Sequence, residues 1–198
     1  MTFAAHRHLS IADSTHQRTF PALLLYPSQQ ASRTTMIGPY AFDSSPDAPI
    51  APGRFPLILI SHGSGGSHLL YRSIAIHLAR QGYIVALPEH PGNNRNDNSL
   101  ENSNDNLALR PYHLGLTIAA VADALGASVN TDRIGVVGHS MGGYTALALA
   151  GGQPRSPAGE VIAVQADSRV KAMVLLAPAT PWYHHADALR QVSQPILL

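Results

Sequence analysis

Ser140 lies in Gly138-His139-Ser140-Met141-Gly142, with the apolar run Ile134-Gly135-Val136-Val137 before it and Tyr144 to Ala150 after it. Glycines two before and two after a serine let the chain reverse between a strand and a helix without side-chain collision. A serine at the apex of that turn is held on strained backbone above the strand ends. The helix N-terminus beneath it favours developing negative charge. The chemistry this suits is nucleophilic attack by the hydroxyl, which makes Ser140 the candidate nucleophile. The competing reading is a packed Gly-Ser turn without chemistry.

A second stretch supplies what such an attack needs. Ser61-His62-Gly63-Ser64-Gly65-Gly66 follows the apolar run Leu57 to Ile60, and a glycine-rich turn at a strand end presents backbone N–H groups. Acyl transfer passes through a tetrahedral oxyanion, and one donor aimed at it contributes roughly 3 to 4 kcal/mol. The N–H of Met141, next to the nucleophile, and the N–H of Ser64 are the candidate pair. The two motifs together are more specific than either alone.

The other chemistry-bearing residues have plainer readings. His62 holds the oxyanion turn by hydrogen bonds. His139 is a structural or pocket-wall residue, because an adjacent side chain does not turn back onto the serine hydroxyl. His90, beside Glu89, either lines the pocket or lies behind it or at the surface. Trp182 and Tyr183 either wall the pocket or pack a loop. The neighbouring side chains of His184 and His185 point apart with no third ligand placed near them, so a solvated helix face is expected there and no metal site.

Elements that position these residues follow from hydrophobic periodicity. Strands are expected at Pro21 to Tyr26, Phe55 to Ser61, Tyr83 to Leu87, through Ile134 to Val137, at Val170 to Leu176 and, cut short, at Pro195 to Leu198. The continuous apolar runs among them indicate strands buried on both faces. Helices are expected from Leu70 to Gly82, from Leu114 to Leu125 and after Ser140. Ser28 to Arg54 reads as a long surface loop. Asn93 to Asn106 is rich in Asn, Asp and Ser and reads as a mobile loop, a candidate lid. Alternation of strands and helices predicts an α/β fold with a mostly parallel central sheet flanked by helices, whose ligands bind at the carboxyl ends of the strands.

Bulk properties narrow the function classes. The chain has 198 residues, 45% of them hydrophobic, which suits one domain spanning 1–198. A formal net charge of +1 without a Lys/Arg cluster argues against nucleic acid as a partner. No apolar run has the form of a signal peptide or reaches membrane-spanning length, so a cytoplasmic, soluble protein is expected. The absence of cysteine excludes disulfides, thiolate catalysis and thiolate metal sites.

The chain resembles the α/β-hydrolases, and among them the dienelactone hydrolase-like serine esterases, which are similar also to the platelet-activating-factor acetylhydrolases. The residues that carry the resemblance are Phe55 to Gly63, Gly82 to Gly92, Asp132 to Gly143 and Asp167 to Ala172. The resemblance implies hydrolysis of a small or medium carboxylic ester or lactone through an acyl-enzyme on Ser140. The Ser64 and Met141 backbone then forms the oxyanion hole, and neither cofactor nor metal takes part.

In this fold the acid and the histidine of the triad follow the serine in chain order. Downstream of Ser140 the acids are Glu160, Asp167 and Asp187, and the histidines are His184 and His185. Asp167 enters its strand at the amino end, away from the site. Nothing positions Glu160, and Asp187 follows the histidines, although His184 and Asp187 would meet on a helix. In the family the acid usually follows the strand begun by Pro195 to Leu198 and the histidine sits on a later loop. The expectation is therefore an α/β-hydrolase fold that is C-terminally incomplete, lacking its last strand and helix. A non-catalytic or crippled α/β-hydrolase-like protein is the alternative, and exposed sheet surface would favour self-association.

Overall fold

The computed structural model describes residues 2–198. The first strand, β1 (Phe3–Asp13), pairs antiparallel along its whole length with β2 (Arg18–Ser28), whereas the hydropathy pattern predicts an extended segment only at Pro21 to Tyr26. The polar His6, Arg7, His8 and Ser10 hide β1 from a hydropathy pattern. The hairpin end is held by the buried carboxylate of Asp13, which accepts hydrogen bonds from His16 Nδ1 at 2.8 Å, Arg18 Nε at 3.0 Å and the Tyr112 hydroxyl at 3.3 Å. Burial pushes this carboxyl up, but the hydrogen bonds from His16 and Arg18 outweigh it and bring the pKa down to about 2.

The segment from Ser28 to Arg54 is not a bare loop. It folds a small antiparallel hairpin from β3 (Thr34–Ile37) and β4 (Tyr40–Asp43), and β5 (Ser45–Pro46) then adds to the edge of β1. The return is fastened to β2 by hydrogen bonds from the Tyr26 and Ser28 hydroxyls to the carbonyls of Ala48 and Pro49.

From here strands and helices alternate as far as β9, as the periodicity predicts: β6 (Phe55–Ser61), α1 (Arg72–Arg80), β7 (Ile84–Pro88), α2 (Asn104–Leu125), β8 (Val129–His139), α3 (Met141–Leu149) and β9 (Val170–Leu176); β10 (Ile196–Leu197) follows with no α-helix between. The sheet order is β10-β9-β8-β6-β7-β2-β1-β5, parallel from β10 to β7 and antiparallel from β7 through β2 to β1. Side chains alternate across it. Leu57, Leu59, Ile84 and Ala86 pack against Leu114, Ile118, Val121, Tyr144 and Leu147 of α2 and α3, whereas Ile60, Val85 and Leu87 pack against Ala75, Ile76 and Ala79 of α1. Burial on both faces is why these strands are apolar without alternation.

Three details differ from the sequence expectation. Helix α2 begins at Asn104 rather than Leu114, because the Ser103 side chain caps it by accepting the Asn106 N–H at 3.1 Å and the helix accommodates Pro111 in its interior. The Asn-rich stretch is tied down: Leu100 donates to the Gly92 carbonyl at 2.7 Å and Arg95 to that of Gly66 at 2.8 Å. Finally, His184 and His185 are not on a helix face, since only a 3-10 turn spans Pro181–Tyr183 before them.

At the other edge β10 pairs with β9, and Ile196, Leu197 and Leu198 are exposed. An open groove of about 330 Å³ on the sheet is lined by residues that include Ile58, Tyr83, Val137, Val174, Arg133 and Lys171. Among the described residues no helix is long and apolar enough to cross a membrane.

Because Asp13 titrates lower in the fold than its ordinary 3.8, its contribution is present above that value and is lost as pH falls through about 2. Asp13→Asn is expected to lower the urea midpoint at neutral pH and to flatten its decline between pH 3.8 and about 2. Urea titrations of the two proteins across that window check this.

Candidate active site

Strands β6 and β8 are parallel neighbours with Ser61 opposite Gly138, so the turns that follow them leave the sheet at the same level. Their backbones then touch. A Cβ on Gly142 would overlap the Ser61 carbonyl, and one on Gly138 would overlap the Gly142 carbonyl. Glycine is required at both places by contact, not by a left-handed φ. The strain falls on Ser140 instead, at φ 52° and ψ −116°, a region that an L-residue occupies only when its surroundings enforce it. Three hydrogen bonds do so, from the Ser140 N–H to Leu176 O and from the N–H groups of Gly143 and Ala179 to Ser140 O, each 2.9 Å. The Ser140 side chain does not cap α3 and is left for other partners.

The glycine-rich turn after β6 lies against this elbow: a Cβ on Gly63 would sit 3.3 Å from the Ser140 Cβ. Ser64, Ser140 and Met141, the three residues singled out by the sequence, line one cavity of about 260 Å³. As the first residue of α3, Met141 has a backbone N–H with no intrahelical partner. One wall is apolar, from Leu107, Met141, Pro157, Ala179 and Trp182, and the other is polar, from Glu101 to Asn104 and Asn106. The paired aromatics divide their roles. Trp182 walls the cavity and meets Tyr144 edge-on at 5.0 Å, whereas Tyr183 is buried, stacks on Tyr144 at 5.5 Å and donates to the Tyr144 carbonyl.

Beneath the turn is a buried polar layer. His62 donates from Nδ1 to the Gly63 carbonyl at 2.8 Å and accepts the His90 N–H at Nε2 at 3.1 Å, a pattern that requires the neutral ring. Burial, with help from the positive charge of Arg110, brings its pKa down to about 3. His90 is fully buried and bonds Ser61 Oγ through Nε2 at 2.9 Å; burial holds it well below the ordinary histidine value. It supports the site from behind. Arg110, also fully buried, bonds Ser61, Asn93, Thr145 and the His62 carbonyl.

His139, read as a structural or pocket-wall residue, and the acids and histidines downstream of Ser140 are scattered. His139 is exposed and bonds the Tyr71 hydroxyl through Nδ1 at 2.8 Å. His185 bonds the carbonyls of Ala186 and Gln153. Asp167 forms a bidentate pair with Arg169 ahead of β9, and Asp187 faces Arg190 at 3.7 Å. Glu160 comes nearer, accepting from Asn104 Nδ2, on the polar wall, at 3.2 Å. Among the described residues no three His, Asp or Glu side chains are grouped to hold a metal ion.

Arg110, Asn93, Tyr71 and Glu101 were not singled out by the sequence. One signal existed for Arg110, which falls on the stripe of Leu107, Leu114, Ile118 and Val121 that α2 buries. A lone arginine on an apolar stripe is a charge that must be bonded inside.

The family model described as the α/β hydrolase fold matches residues 56–194. The chain belongs to the α/β-hydrolase fold family. This α/β-hydrolase is 29% identical to the platelet-activating factor acetylhydrolase of Canis lupus familiaris, over 51% of the chain and 33% of the relative. It is 25% identical to that of Bos taurus, over 48% and 31%. The chain thus matches about a third of the length of these curated relatives. Among solved structures, a ferulic acid esterase from Streptomyces cinnamoneus superposes with a TM-score of 0.65 at 21% identity, covering 86% of this chain and 58% of that one. A candidate dienelactone hydrolase of Klebsiella pneumoniae does so at 0.61 and 16%, covering 98% and 70%.

Two outcomes are expected. Gly142→Ala forces α3 away from the end of β6 and costs about 1–3 kcal/mol, read as a fall in the urea midpoint. His62 and His113, the latter buried on α2, are both brought from 6.5 down to about 3 by burial first. The unfolded chain therefore binds protons that the fold does not, and stability declines as pH drops from 6.5 toward 3. A urea midpoint that stays level across that window contradicts this.

Proposed function

We propose that this α/β-hydrolase cleaves a small or medium carboxylic ester or lactone, with Ser140 as nucleophile and the backbone N–H groups of Ser64 and Met141 as oxyanion donors. The observation that carries the reading is the strained backbone of Ser140 in the wall of a cavity it shares with both donor residues. Strain on a single polar residue between two enforced glycines is the signature of an exposed nucleophile. Attack of Oγ on the ester carbon builds charge on the carbonyl oxygen, and the two amides together with the α3 N-terminus stabilise it. The bond from the ester carbon to the alcohol oxygen then breaks, the departing alkoxide takes up the proton lost from Oγ, and the acyl-serine left behind is hydrolysed by water, whose proton returns to Oγ as the acid is released. The cavity, about 260 Å³, lies just below the roughly 300–1,000 Å³ usual for ligand sites, which favours a small acyl or alcohol group. The names of the relatives, acetylhydrolase and ferulic acid esterase, point the same way.

A second reading, an α/β-hydrolase-like protein without turnover, draws on the histidines. The rings of His62, His90, His139 and His185 bond other groups than Ser140. A fluorophosphonate probe together with a short-chain p-nitrophenyl ester separates the two. Under the hydrolase reading the probe labels Ser140, and Ser140→Ala abolishes both labelling and ester cleavage. A folded protein that takes no label supports the second reading.

A further inference from the structure

We propose that Arg110 is a positioning residue that sets the spacing between the two oxyanion donors. The inference rests on the hydrolase reading above and goes beyond it by assigning the group that holds the two turns together. Arg110 sits on α2, between the turn after β6 and the helix that begins at the elbow. Nε donates to Thr145 Oγ1 at 2.9 Å, and Thr145 in turn donates to the Met141 carbonyl at 2.9 Å. One terminal nitrogen donates to Asn93 Oδ1 at 2.6 Å, and Asn93 Nδ2 donates to Ser64 Oγ at 2.9 Å. The other donates to Ser61 Oγ at 3.3 Å and to the His62 carbonyl. A single planar fork therefore reaches both donor residues through one intermediary each, and reaches the strand end from which the turn springs. The bond to the His62 carbonyl further polarises the peptide whose N–H belongs to Gly63.

Every one of these acceptors is neutral. Burial brings the guanidinium down only to about 9, so it stays charged at neutral pH. A fully buried cation bonded only to neutral groups is costly to keep. It adds positive potential at the oxyanion turn, where negative charge develops in the reaction. Lysine does not replace the arrangement, since a point ammonium cannot span three segments in one plane.

The test compares wild type, Arg110→Lys, Arg110→Met and Asn93→Asp. The last preserves shape, pairs with Arg110 and removes the donor to Ser64 along with that to Asn98, so it remains informative if the Arg110 variants do not fold. Fluorophosphonate labelling of Ser140 and p-nitrophenyl ester kinetics are read beside amide hydrogen exchange. In each folded variant, labelling and kcat are expected to fall about tenfold or more while KM stays within about twofold, a loss confined to the transition state. Amides of residues 62–66 exchange faster while those of β9 are unchanged. Labelling within about twofold of wild type, with unchanged exchange at 62–66, overturns the proposal. If wild type itself takes no label the hydrolase reading fails, and the exchange at 62–66 still decides whether this network holds the turn: faster exchange in Asn93→Asp supports it, unchanged exchange overturns it.

Discussion

The contact on which the structure depends is backbone against backbone, where the start of α3 meets the end of β6. Parallel pairing in register brings Ser61 level with Gly138, and the chain at Gly142 then passes so close to the Ser61 carbonyl that no side chain fits. The rest follows from this approach. Helix α3 starts with no intervening loop, so it lies wholly under the sheet and is buried on every side. The reversal that permits it is concentrated in one residue, at a cost of order 1–3 kcal/mol. That cost is borne because the apolar helix below it cannot move without exposing its surface.

Around this contact the site is founded on polar groups. The side-chain amides of the Asn-rich stretch act as a substitute for backbone ladders. Asn94 accepts the N–H groups of Asn96 and Asp97, and Asn93 bonds Asn98 and Ser64. Composition of this kind competes with regular secondary structure, and here the competition ends in an ordered wall. The same substitution appears beneath the turn, where His62, His90 and Ser61 form a buried layer and the two bonds of the His62 ring fix its neutral tautomer.

What was legible in the sequence is what is set by local spacing. Strands β6 and β9 are legible residue for residue because each is a largely apolar run paired on both edges with parallel neighbours, and the elbow is legible because two glycines mark an obligatory close approach. Strand β1 was not, since its histidines and arginine are placed on an outer hairpin whose pairing partner, β2, carries the hydropathy signal. The full length of α2 is hidden because Pro111 and the asparagines before it are helix breakers in isolation, and only the Ser103 cap and burial overrule them. Arg110 and Tyr71 were illegible as parts of the site for a different reason. Their partners lie 48 and 68 positions away, at His62 and His139, and nothing in the spacing of either residue records a contact made only by the folded sheet.

One feature of the cavity wall bears on how the protein can be observed. Trp182 is the sole tryptophan in the chain, and it stands between the cavity and Tyr144 rather than in the central core. Intrinsic indole emission from this protein therefore originates at the mouth of the candidate site. The molecule carries its own optical reporter of occupancy, with no background from the sheet.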